Sequence, residues 1–134
     1  MTERDIQTSI LRTFATRDDM RLWRASTGVA VPLAAVRAAA TALRRGNIQA
    51  ALRMLDQAPA LHFGVNGQAD LSGIIGGDNP NRGRRLEIEV KKPDGRQSEE
   101  QRNYQQMIER FGGLYVLARS TDDVQRALTQ GDSQ

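Results

Sequence analysis

The spacing of apolar residues changes period repeatedly along the chain, and each change marks an element. From Thr2 to about Thr16, Ile6, Ile10, Leu11 and Phe14 recur at helical spacing, Thr2 stands where an N-cap belongs, and Glu3 and Asp5 suit the first turn. MRLWRAS, from Met20, alternates poorly up to Ser26 but has the length and turn-like flanks of a short strand. Pro32 opens LAAVRAAATALRR, an alanine-rich helix stopped by Gly46. Asn47 then caps IQAALRMLDQ ahead of Pro59, so two helices form a hairpin-like insert at about 31–60. LHFGVNGQADLSGII is a glycine-punctuated loop feeding a strand from about Ala69 to Ile75. GGDNPNRG turns the chain into a strand from Arg84 to Lys91, the second arm of an antiparallel hairpin. After PDGRQ, Ser98 with Glu99 and Glu100 caps a helix to about Phe111, ended by Gly112 and Gly113. LYVLA is a short apolar strand, Thr121 or Asp122 caps a last helix carrying Val124 and Leu128, and the tail GDSQ is expected to fray.

With the insert set aside, the order is helix, three strands, helix, strand, helix. An α/β fold with a mixed central sheet flanked by helices packs that order naturally. A length of 134 residues has room for a single domain, 1–134, with one core and one site.

The segment LEIEVKK sets Leu86, Ile88 and Val90 to one side of a half-buried strand and Glu87, Glu89 and Lys91 to the other. Glutamate is depleted in strands, so two acids and a lysine on one face need a reason. Positions two apart share a face about 7 Å apart, so Glu89 and Lys91 converge on one site. In the register the turn suggests, Asp70 lies beside the far end of the same strand. Two carboxylates repel unless a cation sits between them, and the simplest stabilised arrangement includes a divalent metal. Taken alone, Glu89 and Lys91 would be an exposed pair worth a few tenths of a kcal/mol.

Composition narrows the chemistry. Hydrophobic residues at 39% and charged residues at 26% are an ordinary globular balance, without an apolar run near ~18 residues. The N-terminus lacks a basic region followed by an apolar segment, so a cytoplasmic protein with no membrane contact is expected. There is no cysteine, so a metal must be held by oxygen or by the lone His62, and oxygen ligands favour magnesium or manganese (Mg2+ or Mn2+). The net charge of +3 and the pI near 9.9 suit a polyanionic partner. Among 19 basic residues the only lysines are Lys91 and Lys92, at the end of the acidic strand. A lysine is a compact charge with a tunable pKa where arginine is a wide fork that keeps its proton.

These residues carry a resemblance. Gly67-Gln-Ala-Asp70 followed by Glu89-Val-Lys91 resembles the split motif of the PD-(D/E)xK nuclease superfamily. The ordered set is closer still to its VRR-NUC branch: an opening helix with Glu3 and Gln7, FGVNGQADLSGII, IEVKKPDGRQSEEQ and FGGLYVLARS. It covers most of the chain outside the insert. The resemblance implies a restriction-endonuclease-like core, with Asp70, Glu89 and the Val90 carbonyl as metal ligands and Lys91 as catalytic lysine. It also implies that Glu3 is the first-helix acid approaching the metal and that Gln101 closes the motif. Ala69 departs from the superfamily's proline, which shapes the bend before Asp70, and the helical insert maps onto no part of the motif.

The implied activity is metal-dependent, structure-specific cleavage of DNA phosphodiester bonds, resolving four-way (Holliday) junctions as a homodimer. The alternatives are a monomeric flap or nick nuclease and an inactive DNA-binding module. Arg82, Arg84, Arg85, Lys92 and Arg96 would form a track for the DNA backbone. Glu87 is expected to pair with an arginine, His62 to be structural or a phosphate contact, and Trp23 to sit in the core, although an aromatic flanked by Arg21 and Arg24 could meet a base.

Overall fold

The structure, a computed structural model, describes residues 1–25 and 27–130; Ser26 and the GDSQ tail, with the fraying expected of it, lie outside them. The chain divides into two compact units, Met1–Ser26 with Val65–Gln134 and Thr27–Gly64. The described elements are α1 (Glu3–Phe14), β1 (Met20–Arg24), β2 (Gly28–Ala30), α2 (Leu33–Arg44), α3 (Ile48–Asp56), β3 (Leu61–Phe63), β4 (Leu71–Ile75), β5 (Arg85–Val90), α4 (Glu99–Arg110), β6 (Leu114–Ala118) and α5 (Thr121–Thr129). Among the described residues no helix is long and apolar enough to cross a membrane.

The larger unit is mixed α/β, with a four-stranded sheet in the order β1-β4-β5-β6. The first two pairings are antiparallel and β5 runs parallel to β6, so the sheet is mixed. A parallel return needs a crossover, and α4 supplies it. One sheet face is apolar at every second residue: Leu71, Ile75, Leu86, Ile88, Val90, Val116 and Ala118 pack with Ile6, Ile10 and Phe14 of α1 and Val124 and Leu128 of α5. The other face holds Ser72, Glu87, Glu89 and Tyr115, and a smaller cluster of Ala69, Tyr104, Ile108 and Tyr115 closes it. The half-buried strand expected at LEIEVKK is therefore buried on both faces, with Glu87 at 0% and Glu89 at 2% exposure. A helix returning over the acidic side is what removes it from water.

Local sequence accounts for the helix starts. Thr2 donates its N–H to Asp5 Oδ2 at 2.8 Å and accepts from Asp5 N in a capping box, and Ser98 does the same with Gln101. The last cap is Ser120 in place of Thr121 or Asp122, because the Asp123 carboxylate reaches back to the N–H groups of Arg119 and Ser120. Trp23, expected in the core, is 48% exposed. The β1 register turns Met20 and Leu22 toward α1 and Trp23 to the opposite face, opposite Ser72.

The smaller unit is wider than the predicted insert because its flanks pair: Gly28, Val29 and Ala30 lie antiparallel to Phe63, His62 and Leu61. Within it α2 and α3 approach through the small residues Ala39, Ala42 and Ala51, while Leu43, Ile48, Leu52 and Met54 stay exposed. Its four arginines, Arg37, Arg44, Arg45 and Arg53, stand against one acid, Asp56, so the chain's formal +3 resides in this unit.

Gly67 ties the loop before β4 to α4. Its φ is +76°, and a Cβ there would lie 2.2 Å from the Glu100 carbonyl oxygen. Gly67→Ala therefore combines a left-handed penalty with a backbone clash and is expected to lower the unfolding free energy in urea by about 2–4 kcal/mol. A loss below about 0.5 kcal/mol would mean that the loop does not pack there.

Candidate functional site

The site lies where the polar face of β5 runs out from under α4. Leu71 pairs with Ile88, which sets Asp70 level with Glu89 one strand away. Val90 donates its N–H to Asp70 Oδ2 at 2.8 Å, so the acid is held against the next strand by its backbone. Lys91 extends from the same face as Glu89, its Nζ 3.0 Å from Glu89 Oε1. The same oxygen accepts from Gln101 Nε2 at 2.6 Å. Gln101 Oε1 meanwhile accepts the Ser98 N–H at 2.9 Å, so one amide caps α4 and fixes the carboxylate. Glu3 comes from the start of α1, where its Oε1 accepts the Lys92 N–H at 3.2 Å.

The two buried acids of β5 are satisfied differently. Glu87 accepts from Ser72 Oγ at 2.8 Å and Arg85 Nε at 2.5 Å and bonds Tyr104, so it takes the arginine partner expected of it. Beside it the Tyr104 hydroxyl is pushed up to about 12, by burial first and by Glu87 next. In Glu89 only Oε1 is engaged, and Oε2 is buried with no hydrogen-bond partner. Burial is the main reason that the Glu89 carboxyl is pushed up to about 7; Lys91 pulls it down, while Asp70 and Glu3 add to the rise. Asp70 is raised for the same first reason, against the pull of the Val90 N–H and Lys91.

This donor set fits a hard divalent cation. Glu89 Oε2 faces no partner, Asp70 lies beside it, and both donors are oxygen. Among the described residues no three His, Cys, Asp or Glu side chains form a metal-holding group, while Glu3 is near enough to raise both the Asp70 and the Glu89 carboxyl. Two carboxylates supplemented by a carbonyl and water are sufficient for magnesium. His62 lies on β3 in the other unit.

The basic residues sort into two groups. Lys92 and Arg96 are exposed in the turn after β5, at the site's end of the strand. Arg85 and Arg84 lie at the opposite end, about 13–17 Å along the strand from Glu89, with Arg82 beyond them in the turn. Arg84 binds the carbonyls of Gly112 and Gly113 and the Asn81 side chain, and Arg85 pairs with Glu87. Arg82 is exposed in the hairpin turn.

Sequence reasoning missed the residues behind the site. Tyr115 lies level with Glu87 in the parallel register, and its hydroxyl accepts from Gln97 Nε2 at 3.1 Å. Its pKa is raised, chiefly by burial. Ser72, two residues after Asp70 and on the same face, carried the one usable signal: a small hydroxyl opposite a glutamate. No family model matches the chain, and no curated protein and no solved structure is significantly similar to it.

The raised Glu89 carboxyl makes stability pH-dependent. The folded chain holds a proton that the unfolded chain, with a value near 4.5, has released, so this contribution is complete below about 4.5 and is lost as pH rises through about 7. In EDTA the unfolding free energy is expected to fall by roughly 3 kcal/mol between about pH 5 and about pH 8, with the fall mostly absent in Glu89→Gln. Equal slopes in wild type and variant, measured by urea unfolding, would place the titration elsewhere.

Proposed function

We propose that the chain is a metal-dependent DNA endonuclease with a restriction-endonuclease-like core of the VRR-NUC kind. The observation that carries this is the meeting of Asp70, Glu89 and Lys91 at one end of β5, with a buried Glu89 oxygen left unpartnered. Asp70, Glu89 and the Val90 carbonyl would hold magnesium or manganese. When bound, such an ion polarises a phosphodiester and acidifies water.

The chain's own groups do the rest. Glu89 must lose the proton that burial favours, leaving both of its oxygens as acceptors. Gln101 prevents its rotation by gripping Oε1, and the Val90 N–H does the same for Asp70. Lys91, held 3.0 Å from Glu89, presents its remaining N–H donors to a phosphoryl oxygen on which charge develops. Lys92 and Arg96 bind neighbouring phosphates without reading sequence. A domain of this size has little surface to spare for base recognition, so branched DNA, the four-way junction first, is the proposed substrate. Two copies related by a twofold axis would make paired incisions.

Labelled four-way junction, flap and linear duplex, each with magnesium, manganese or EDTA, test the assignment. Metal-dependent cuts at the branch are expected, with Lys91→Ala reducing the rate by about 100-fold or more while DNA is still bound. If all three substrates stay intact while the wild type shifts them in a gel, the chain is a binding module. Cuts confined to the flap, by a protein of monomer mass, would replace the paired-incision proposal.

A further inference from the structure

Trp23 is the chain's one tryptophan, and it lies on the sheet face that carries the carboxylates. It stands opposite Ser72, and Ser72 stands opposite Glu87. From strand spacing and rise its Cα lies about 8 Å from that of Asp70. The helix α4 packs over β6, at the far side of the sheet, and β1 forms the opposite edge. There Trp23 is 48% and Ile74 51% exposed, and Arg21 shares the face two residues before the indole. A large aromatic on an open face beside a cation needs an occupant.

The neighbouring charge selects it. On this face the cation is Arg21, which donates to the carbonyls of Arg17 and Met20, whereas Arg24 is held by Gln7 Oε1 and Thr8 Oγ1 of α1 on the opposite face. The Arg21 guanidinium is paired with no carboxylate among the described residues. A second copy docked here about a twofold axis would bring the same cation against it. Trp23 and Ile74 together fall far short of the roughly 800 Å² per partner of a stable interface. A DNA strand instead offers a phosphate to the Arg21 guanidinium and a flat base to the indole, the pairing that single-strand binding surfaces use.

We infer that Trp23 is a stacking platform for an unpaired base of the DNA strand whose backbone continues to Asp70 and Glu89. The inference rests on the proposal that the chain acts on DNA and makes Trp23 a specificity determinant, favouring branched substrates with a base freed beside the cleavage point, as a flap supplies outright and a four-way junction supplies when a pair at its crossover opens. An intact duplex keeps its bases stacked on one another and has none to give.

Because Trp23 is alone, its fluorescence reports occupancy directly. Lys91→Ala protein with magnesium would be titrated with a single-stranded oligonucleotide, a flap duplex and a blunt duplex, with gel shift in parallel. The first two are expected to quench the emission over the range in which they shift, and the blunt duplex to shift without quenching. Trp23→Ala should weaken flap binding about tenfold and leave blunt-duplex binding unchanged, with Trp23→Phe in between. Flap DNA that shifts without quenching overturns the inference and leaves the nuclease assignment untouched, as does a Trp23→Ala protein of reduced solution mass with unchanged flap affinity. Quenching by flap DNA that the wild type never cuts with either metal upholds the platform and overturns the nuclease.

Discussion

Burying the acidic side of the central strand is the constraint around which the larger unit is arranged. A carboxylate taken out of water is costly unless both oxygens find partners. Neighbouring acids on β5 meet that requirement in opposite ways. Glu87 is closed off by Ser72, Arg85 and Tyr104 and behaves as an internal fastener between β4, β5 and α4. Glu89 has one oxygen held by Gln101 and Lys91 and the other left bare. The first arrangement is complete within the chain; the second leaves one buried oxygen open, the opening that the proposed cation would fill.

The rest of the unit supports that asymmetry. The apolar face, locked to α1 and α5, supplies the cohesion that lets the other face carry charge. The antiparallel register brings Asp70 level with Glu89, and the parallel crossover lays the first turn of α4 where Gln101 can reach the carboxylate. Gly67 keeps the loop before Asp70 pressed on that turn. The site is thus built mainly from strand ends and a helix N-terminus, and loop mobility has little leverage over it.

Much of this was legible in the chain because its signals are local. Thr2, Asn47 and Ser98 cap the helices predicted from them, and the hairpin around GGDNPNRG sets the register that aligns Asp70 with the acidic strand. Other features depend on distant partners. Three-residue strands such as β2 and β3 are too short to show a period, and their pairing joins residues more than thirty apart. Alternation in LEIEVKK shows two faces but is silent on whether a helix covers the second. Trp23 looks like core by residue type, and only the register against β4 turns it outward. The arginine run 82–85 reads as one charged patch, whereas Arg84 closes the turn at Gly112 and Gly113 and Arg85 serves Glu87.

The central claim, that Glu89 and Asp70 are arranged for a divalent cation, is met most directly by calorimetric titration of manganese into metal-free protein near pH 7. Two buffers of different ionisation enthalpy would count the protons released. Binding must displace the proton that burial keeps on Glu89, so a saturable heat with a buffer-dependent part is expected, and both should vanish in Glu89→Gln. No saturable heat in the wild type, or the same heat and proton release in the variant, would contradict it.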